Sequence, residues 1–581
     1  MAALVNALDM GVKTQLGQKG HVEYSWSSDM KERILQLSFQ ITRANKETVK
    51  SLSQELDKLL KNIIGGYQEG TISLEQYQEF IITAYKMVGH TRDVISGKGE
   101  YTLSYMQIVV WYNFFPELAL FALSKFVAFD NDEHPYGSWK DIKYFCAYCK
   151  EVGLKKDHPL IQYAFSLMNE QIKRDVTAEK KSLSGKWCPR EGSHKFGLMF
   201  NEMAYLYFNQ YLETAKTEEK KSKAQNKCKM DFRKLNSAHN KILDTIQIKQ
   251  CGDKWEDIDH GKTTSITLAK QKKALLNLNK DGEQRSENPG RIQCAINFEE
   301  HISKAVSGEV KMKGRHVGMD TFVKQALYLL EGSPGSGEAE MNLLNQQWLD
   351  NSSYTGGLGN IIPMVDNSGS MFQGTDAGYV AIGLGIRCAE KSLLGKRVMV
   401  FNEEATWVNL AGHNTFVEMV QTISQISGWA NNTNFYAAMN QILGAIKTAS
   451  PPIPFEEATS FVLAIFSDMQ MDVASNRANM DTLNETMITM FAEVGMEIYG
   501  KPLKHPHILY WNMSSSKGFP ALSTATNASM LSGWSPALLN LFCEKGLAAL
   551  ETCTPWSQLQ EMLRNERYNC LGEACLAIIA K

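Results

Sequence analysis

The chain is 581 residues long with a formal net charge of −2; 44 % of it is hydrophobic and 21 % charged. That length holds more than one domain with ample core, and the near-neutral total excludes a global basic field that would announce nucleic acid by charge alone. Eleven cysteines without a regular framework, and no signal peptide, argue against a disulfide scaffold and for a reducing, cytoplasmic compartment.

The total conceals an asymmetry. Residues 1–354 carry 48 lysines and arginines against 44 acids, a balance of +4, whereas residues 355–581 carry 13 against 19, a balance of −6. This shift predicts a boundary near residue 350, with a helical domain over 1–354 and an α/β domain over 355–581.

In the first part, Leu35, Leu37, Phe39 and Ile41 mark an apolar segment, and Leu52, Leu56, Leu59, Leu60, Ile63 and Ile64 mark a helical face. Helical patterns follow at residues 74–88, 105–129, 139–152, 159–174 and 196–215. The very apolar window 105–129 contains Pro116, Glu117 and Lys125, so core helices are expected there and no membrane span. Cys146 and Cys149 form a lone C-x-x-C without a second pair at zinc-finger spacing, and are expected to be buried thiols. Successive helices with short connections predict a bundle or an α-solenoid.

Basic stretches interrupt these helices. Residues 173–195 carry Lys180, Lys181, Lys186, Arg190, His194 and Lys195 around Trp187 and Pro189. Cations beside an aromatic face suit unpaired bases and their phosphates, although a packed Trp187 with solvated lysines gives the same pattern. Residues 216–234 form a second basic run, expected to be a solvated helix face because Glu218 and Glu219 accompany it. Residues 277–291 look like an exposed loop. Lys311, Lys313, Arg315 and His316 form a third, compact cluster.

After about Thr355 strands alternate with helices. Strands are expected at residues 361–365, 397–401, 460–466 and 507–512, and helices at 377–394, 416–426, 435–448, 480–494, 537–544 and 556–566. Such alternation predicts a mostly parallel sheet with helices on both faces and a ligand site at the carboxyl ends of its strands.

The motif at such an end is Asp366-Asn367-Ser368-Gly369-Ser370, directly after the apolar run 361–365. Asp366, Ser368 and Ser370 offer one carboxylate and two hydroxyls, a hard oxygen set suited to Mg²⁺ or another hard divalent cation, with waters completing the shell. A plain strand-to-helix turn uses the same residue types. Two further segments extend the set: Asn431-Asn432-Thr433-Asn434 precedes a helix and brings the Thr433 hydroxyl, and Ser467-Asp468 ends the most apolar strand. With hydroxyls and few carboxylates the ion stays under-neutralised and seeks an external acidic ligand, such as a partner's Asp or Glu, or a phosphate. Ser368 lacks a glycine-flanked elbow and a neighbouring His–acid pair, so a hydrolase is not expected.

The order and spacing of Asp366, Ser368, Ser370, Thr433 and Asp468 resemble the metal-ion-dependent adhesion site of the von Willebrand factor A fold. A helical first part followed by such a domain resembles the TROVE-containing Ro autoantigen family. It is more closely similar to TROVE-related, largely uncharacterised proteins of plants, fungi and giant viruses. The residues carrying this second resemblance are Lys186-Trp187-Cys188-Pro189-Arg190-Glu191, Phe232-Arg233-Lys234-Leu235, Lys254-Trp255-Glu256-Asp257-Ile258-Asp259, Asp366 to Ser370, and Ser516-Lys517-Gly518-Phe519-Pro520.

The resemblance implies a ring of HEAT-like helical repeats closed by the A domain, holding single-stranded or misfolded RNA and structured small RNAs. The expected function is therefore a non-enzymatic RNA-binding, Ro-like ribonucleoprotein with a Mg²⁺-dependent ligand site. The alternative is a protein-interaction or structural module, a virion component in a giant virus, that docks an acidic partner through the metal site. The helical part here is only mildly basic, so any RNA footprint must come from the local clusters.

Overall fold

The computed structural model describes residues 13–17, 19–129, 133–332, 337–426, 433–472, 481–543, 550 and 552–580. Asn431, Asn432 and the expected helix ends at 480 and 544 lie outside them. Helices dominate the chain, and its later part holds a six-stranded mixed sheet, so the protein is an α-helical plus α/β multidomain protein.

A short antiparallel hairpin, β1 (Thr14–Leu16) and β2 (Val22–Tyr24), precedes the first described helix, Met30–Gln40. The main sheet comprises β3 (Ile361–Asp366), β4 (Arg397–Phe401), β5 (Ala405–Asn409), β6 (Val462–Ser467), β7 (His507–Asn512) and β8 (Ala528–Ser532). Their spatial order is β5-β4-β3-β6-β7-β8; all pairings are parallel except that of the edge strand β5 with β4.

Strands β3, β6, β7 and β8 are buried at every position. That is why they read as apolar runs without alternation: a parallel sheet covered on both faces has no polar side. Pro363 is tolerated inside β3 because the ladder to β4 begins only at Met364. The Ala377–Lys391 helix lies close on β3. A side chain at Gly385 would place its Cβ 2.4 Å from Val365 Cγ2, so glycine sets this approach.

Compact units do not follow the composition boundary at 354/355. One unit comprises Met1–Ala84 with Asp259–Asn569, the other Tyr85–Ile258 with Cys570–Lys581. The physical reason lies in what the α/β helices pack against. Arg387 on the Ala377–Lys391 helix is fully buried, sits 4.3 Å from the Trp348 ring centre and donates to Asn351 Oδ1 at 3.0 Å. Trp348 stacks on Phe416 at 3.9 Å. The Glu338–Ser352 helix, although it precedes residue 354, is thus core of the sheet-bearing unit. The Met30–Gln40 helix is bound in too: Asn512 Nδ2 donates to the Phe39 carbonyl at 3.0 Å and Ser532 Oγ to that of Ser38 at 2.9 Å.

The second unit is helical. The apolar window resolves into Tyr101–Tyr112 and Pro116–Lys125, with Pro116 opening the second helix, and no described helix is long and apolar enough to cross a membrane. Asp141 is buried here but fully matched. Arg92 Nε and Nη2 hold its two oxygens at 2.6 and 2.7 Å, Tyr105 Oη donates at 2.6 Å and the Ser138 N–H at 2.8 Å. Cys146 and Cys149 are buried free thiols, both pushed up by burial.

Candidate functional site

The chain runs from β3 outward through β4 and β5, then returns to lay β6 against β3's other edge before continuing to β7 and β8. Strand order therefore switches between β3 and β6, and the carboxyl ends of these two strands are where an open α/β sheet places a ligand crevice. Register pairs Val365 with Phe466, so Asp366 and Ser467 end the two strands side by side. The Ser467 hydroxyl donates to Asp366 Oδ2 at 2.6 Å, and the Ser368 N–H to Asp366 Oδ1 at 2.9 Å.

A 3-10 turn at Gly369–Met371 folds the motif back, and the Ser368 and Ser370 hydroxyls lie 3.2 Å apart. Asp468 accepts the Gln470 N–H at 3.1 Å and the Ser370 hydroxyl. Between them Met469 holds a left-handed φ of 62°, a strained backbone state for a non-glycine residue. Asp366, Ser368, Thr433 and Asp468 are buried, while Ser370 is exposed and marks the open side.

Thr433 reaches this edge from the loop before the Phe435–Thr448 helix, which Asn434 caps by accepting the Ala437 N–H at 3.0 Å. Asp472 fixes the Thr433 backbone, accepting its N–H at 2.6 Å and donating its own to the Thr433 carbonyl at 3.0 Å. The Thr433 hydroxyl accepts a hydrogen bond from the Lys19 ammonium, which also lies 3.9 Å from Asp472 Oδ1.

Burial and then the negative charge of Asp468 raise the Asp366 carboxyl to about 7, against the lowering effect of the Ser467 and Ser368 hydrogen bonds. Burial likewise raises Asp468, opposed by the Gln470 N–H, the Ser370 hydroxyl and Lys19. Two buried carboxylates therefore share one crevice and repel each other.

Among the described residues no three His, Cys, Asp or Glu side chains converge as a metal cage. The donor set is two carboxylates and three hydroxyls. It fits a hard divalent cation that keeps several waters: the hydrogen bonds that Asp366 accepts, from the Ser467 hydroxyl and the Ser368 hydroxyl and amide, all come from uncharged donors, and the mutual repulsion of the carboxylates is what a cation relieves. Such an ion would supply Lewis acidity toward an oxygen ligand.

The basic residues divide between the units. In the helical unit Lys180, Arg190, His194 and Lys195 are exposed, and Lys186 and Trp187 half-buried. Lys181 does not present its ammonium freely; it caps the Pro159–Thr177 helix, donating to the Val176 and Ala178 carbonyls at 3.1 and 3.0 Å and to that of Asp175. Sequence reasoning missed the partners of this segment. Lys143 Nζ lies 4.9 Å from the Trp187 ring centre and 5.2 Å from that of Phe196; Lys195 lies 5.3 Å from Tyr144. Lys140 stands over Tyr144 at 4.9 Å, and Tyr144 packs edge-on to Phe196 at 5.4 Å. The signal available was Lys140, Lys143 and Tyr144 at i, i+3 and i+4 of the Lys140–Glu151 helix, one shared face.

In the sheet-bearing unit Lys311, Lys313, Arg315 and His316 are all exposed, while Met312 and Gly314 between them are buried. The Gly314 and Arg315 N–H groups donate to Asp350 Oδ2 at 2.7 and 3.1 Å, and the Arg315 guanidinium stacks on Tyr354 at 4.3 Å.

Fold and site thus define a helical protein carrying a mixed α/β sheet with an oxygen-rich acidic crevice at its switch point. The model of a domain of unknown function, DUF7788, matches residues 360–569, a span that begins at β3 and contains Asp366, Ser368, Ser370, Thr433 and Asp468. An uncharacterised protein of Acanthamoeba polyphaga mimivirus is 24 % identical over 507 residues, covering 83 % of this chain and 79 % of its own. That similarity therefore reaches well beyond the sheet.

Proposed function

We propose that this chain is a non-enzymatic docking protein. Its α/β region is a von Willebrand factor A-type domain, and its crevice binds an acidic oxygen ligand through a divalent cation held by Asp366, Ser368, Ser370, Thr433 and Asp468. The observation that carries this reading is the pairing of two buried, mutually repelling carboxylates with three hydroxyls at the switch point of the sheet. Such a set binds a cation weakly enough to leave charge for an outside ligand. The Ser368 hydroxyl engages both Ser370 and the Asp366 carboxylate, which gathers these oxygens together as ligation requires. Capture of partners from the native source in Mg²⁺ and in EDTA tests it. The partner is expected only with Mg²⁺ and only with intact Asp366; equal capture by Asp366→Ala refutes it.

A second reading, an RNA-binding protein of the TROVE-related kind with a HEAT-like helical region, is favoured by the lysines gathered on Tyr144, Trp187 and Phe196. Aromatic faces beside ammonium groups suit unpaired bases. Replacing Lys186, Arg190, Lys313 and Arg315 by Glu is expected to weaken filter binding of single-stranded RNA and flatten its salt dependence; unchanged affinity removes this mapping.

A further inference from the structure

The Lys19 ammonium sits on a proposed cation ligand, and it is delivered there by a built element. The N–H of Gly17 donates to the His21 carbonyl at 2.8 Å and that of Gly20 to the Gly17 carbonyl at 3.0 Å, closing the turn between β1 and β2. The His21 ring packs close over Gly17, where a Cβ would lie 2.2 Å from it.

The hairpin is then seated on the sheet-bearing unit at three points. Backbone bridges join Gly20 to Asp472, Val22 to Thr482 and Tyr24 to Phe519. The Tyr24 hydroxyl donates to Glu485 Oε1 at 3.2 Å and lies 3.4 Å from the Thr482 hydroxyl. Glu23 is buried against Gly518, where a Cβ would come within 2.0 Å of its carboxyl carbon, and it accepts from Gln15 Nε2 at 2.8 Å. With the base held this way, the turn projects Lys19 onto the Thr433 hydroxyl and toward Asp472.

We propose that the β1–β2 hairpin is an internal plug whose Lys19 ammonium acts as a tethered cation, competing with a divalent ion for the Asp366–Thr433–Asp468 crevice. The proposal rests on the docking reading above and adds its control. One positive charge delivered by the chain partly neutralises the acidic crevice, keeps the carboxylates compact and shields them from adventitious ions. A divalent cation brings twice that charge, and once it takes the Thr433 oxygen the two like charges repel. Filling the crevice therefore unseats Lys19 and frees the hairpin from its three bridges. The plug couples cation binding to exposure of the strip under β1 and β2, including Thr482 and Phe519. None of these hairpin residues lies within the matched span 360–569, so the plug is an addition to that domain.

The test is a Mn²⁺ titration of the full chain, with free ion read by electron paramagnetic resonance and the hairpin amides followed by hydrogen exchange. Lys19→Gln, which keeps the side-chain stem and removes the charge, is expected to tighten Mn²⁺ about tenfold or more. Lys19→Arg, which keeps the charge, should not. In the wild-type chain Mn²⁺ should increase exchange over residues 14–24. Equal Mn²⁺ affinity in wild type and Lys19→Gln, or unchanged hairpin exchange on saturation, overturns the plug while leaving the cation site standing. Failure of the wild type, Lys19→Gln and Lys19→Ala alike to bind Mn²⁺ overturns the docking reading, and the plug with it.

Discussion

Two buried aspartates in this molecule are solved in opposite ways. Asp141, in the helical unit, is met by a bidentate Arg92, the Tyr105 hydroxyl and the Ser138 amide. Asp366, in the sheet-bearing unit, receives the Ser467 and Ser368 hydroxyls and the Ser368 amide, all uncharged, and faces a second buried carboxylate, Asp468. The first is closed and structural: every lone pair has a local donor, and the counter-charge is fixed beside it. The second is left short of positive charge, apart from a lysine carried in from the hairpin. A buried acid without a fixed counter-charge destabilises the free protein, a cost that a bound cation would offset.

The largest expected effect breaks the closed side of this comparison. Arg92→Met leaves Asp141 buried and unpaired and should cost about 3–5 kcal/mol in urea unfolding of the helical unit. Gly137→Ala should act in the same direction, because its Cβ would fall 2.4 Å from Asp141 Oδ2.

The next is a pH effect in the same unit. Burial lowers His90 from 6.5 to about 3, so the folded state holds it neutral. A depressed folded pKa gives stability that is present above pH 6.5 and is lost as pH falls toward 3, up to roughly 5 kcal/mol at 1.36 kcal/mol per unit. Acid unfolding curves of His90→Gln should be flatter across that window than those of the wild type.

Sequence reached the two aspartates unequally, and the reasons are physical. Asp366 and Asp468 were legible because each stands at the carboxyl end of a strand buried on both faces, and such strands are continuous apolar runs. Asp141 carried no signal, since its partner Arg92 lies 49 residues away on another helix. Lys19 was equally silent, 414 residues from Thr433. Strand β5 was missed because it is an edge strand with Trp407 exposed, and β8 because Ala528, Ser529 and Ser532 have little strand preference of their own. The pattern over 196–215 suggested one helix, but the backbone leaves helical geometry at Phe208 and two helices, Gly197–Tyr207 and Asn209–Glu213, result. The unit boundaries escaped because composition follows secondary structure, whereas compactness follows packing such as Arg387 on Trp348.

The helical surface sharpens the contrast. Trp187→Ala should weaken oligouridylate binding by about 1–3 kcal/mol if a base stacks there, and leave Mg²⁺ binding by the sheet-bearing unit unchanged. Fluorescence anisotropy at two salt concentrations reads both the loss and its charge dependence.

The smallest effect has the opposite sign to the first. Asp366→Asn removes one of two repelling charges while keeping an oxygen to accept the Ser368 amide. Without divalent ions it should leave the sheet-bearing unit as stable as the wild type or about 1 kcal/mol more so at pH 8. A loss comparable to that of Arg92→Met would place Asp366 in the same structural class as Asp141.

The most direct measurement is hydrogen exchange of the wild-type chain with and without Mg²⁺, compared between the two units. Added protection is expected for amides of β3, β6 and the Ser368–Ser370 turn, rising with Mg²⁺ as for a ligand that binds only the folded state and reaching about 2.7 kcal/mol at a hundredfold excess over its Kd. Around Asp141 protection should not change, and Asp366→Asn should abolish the effect. Equal protection in both units, or none at the switch point under saturating Mg²⁺, would contradict it.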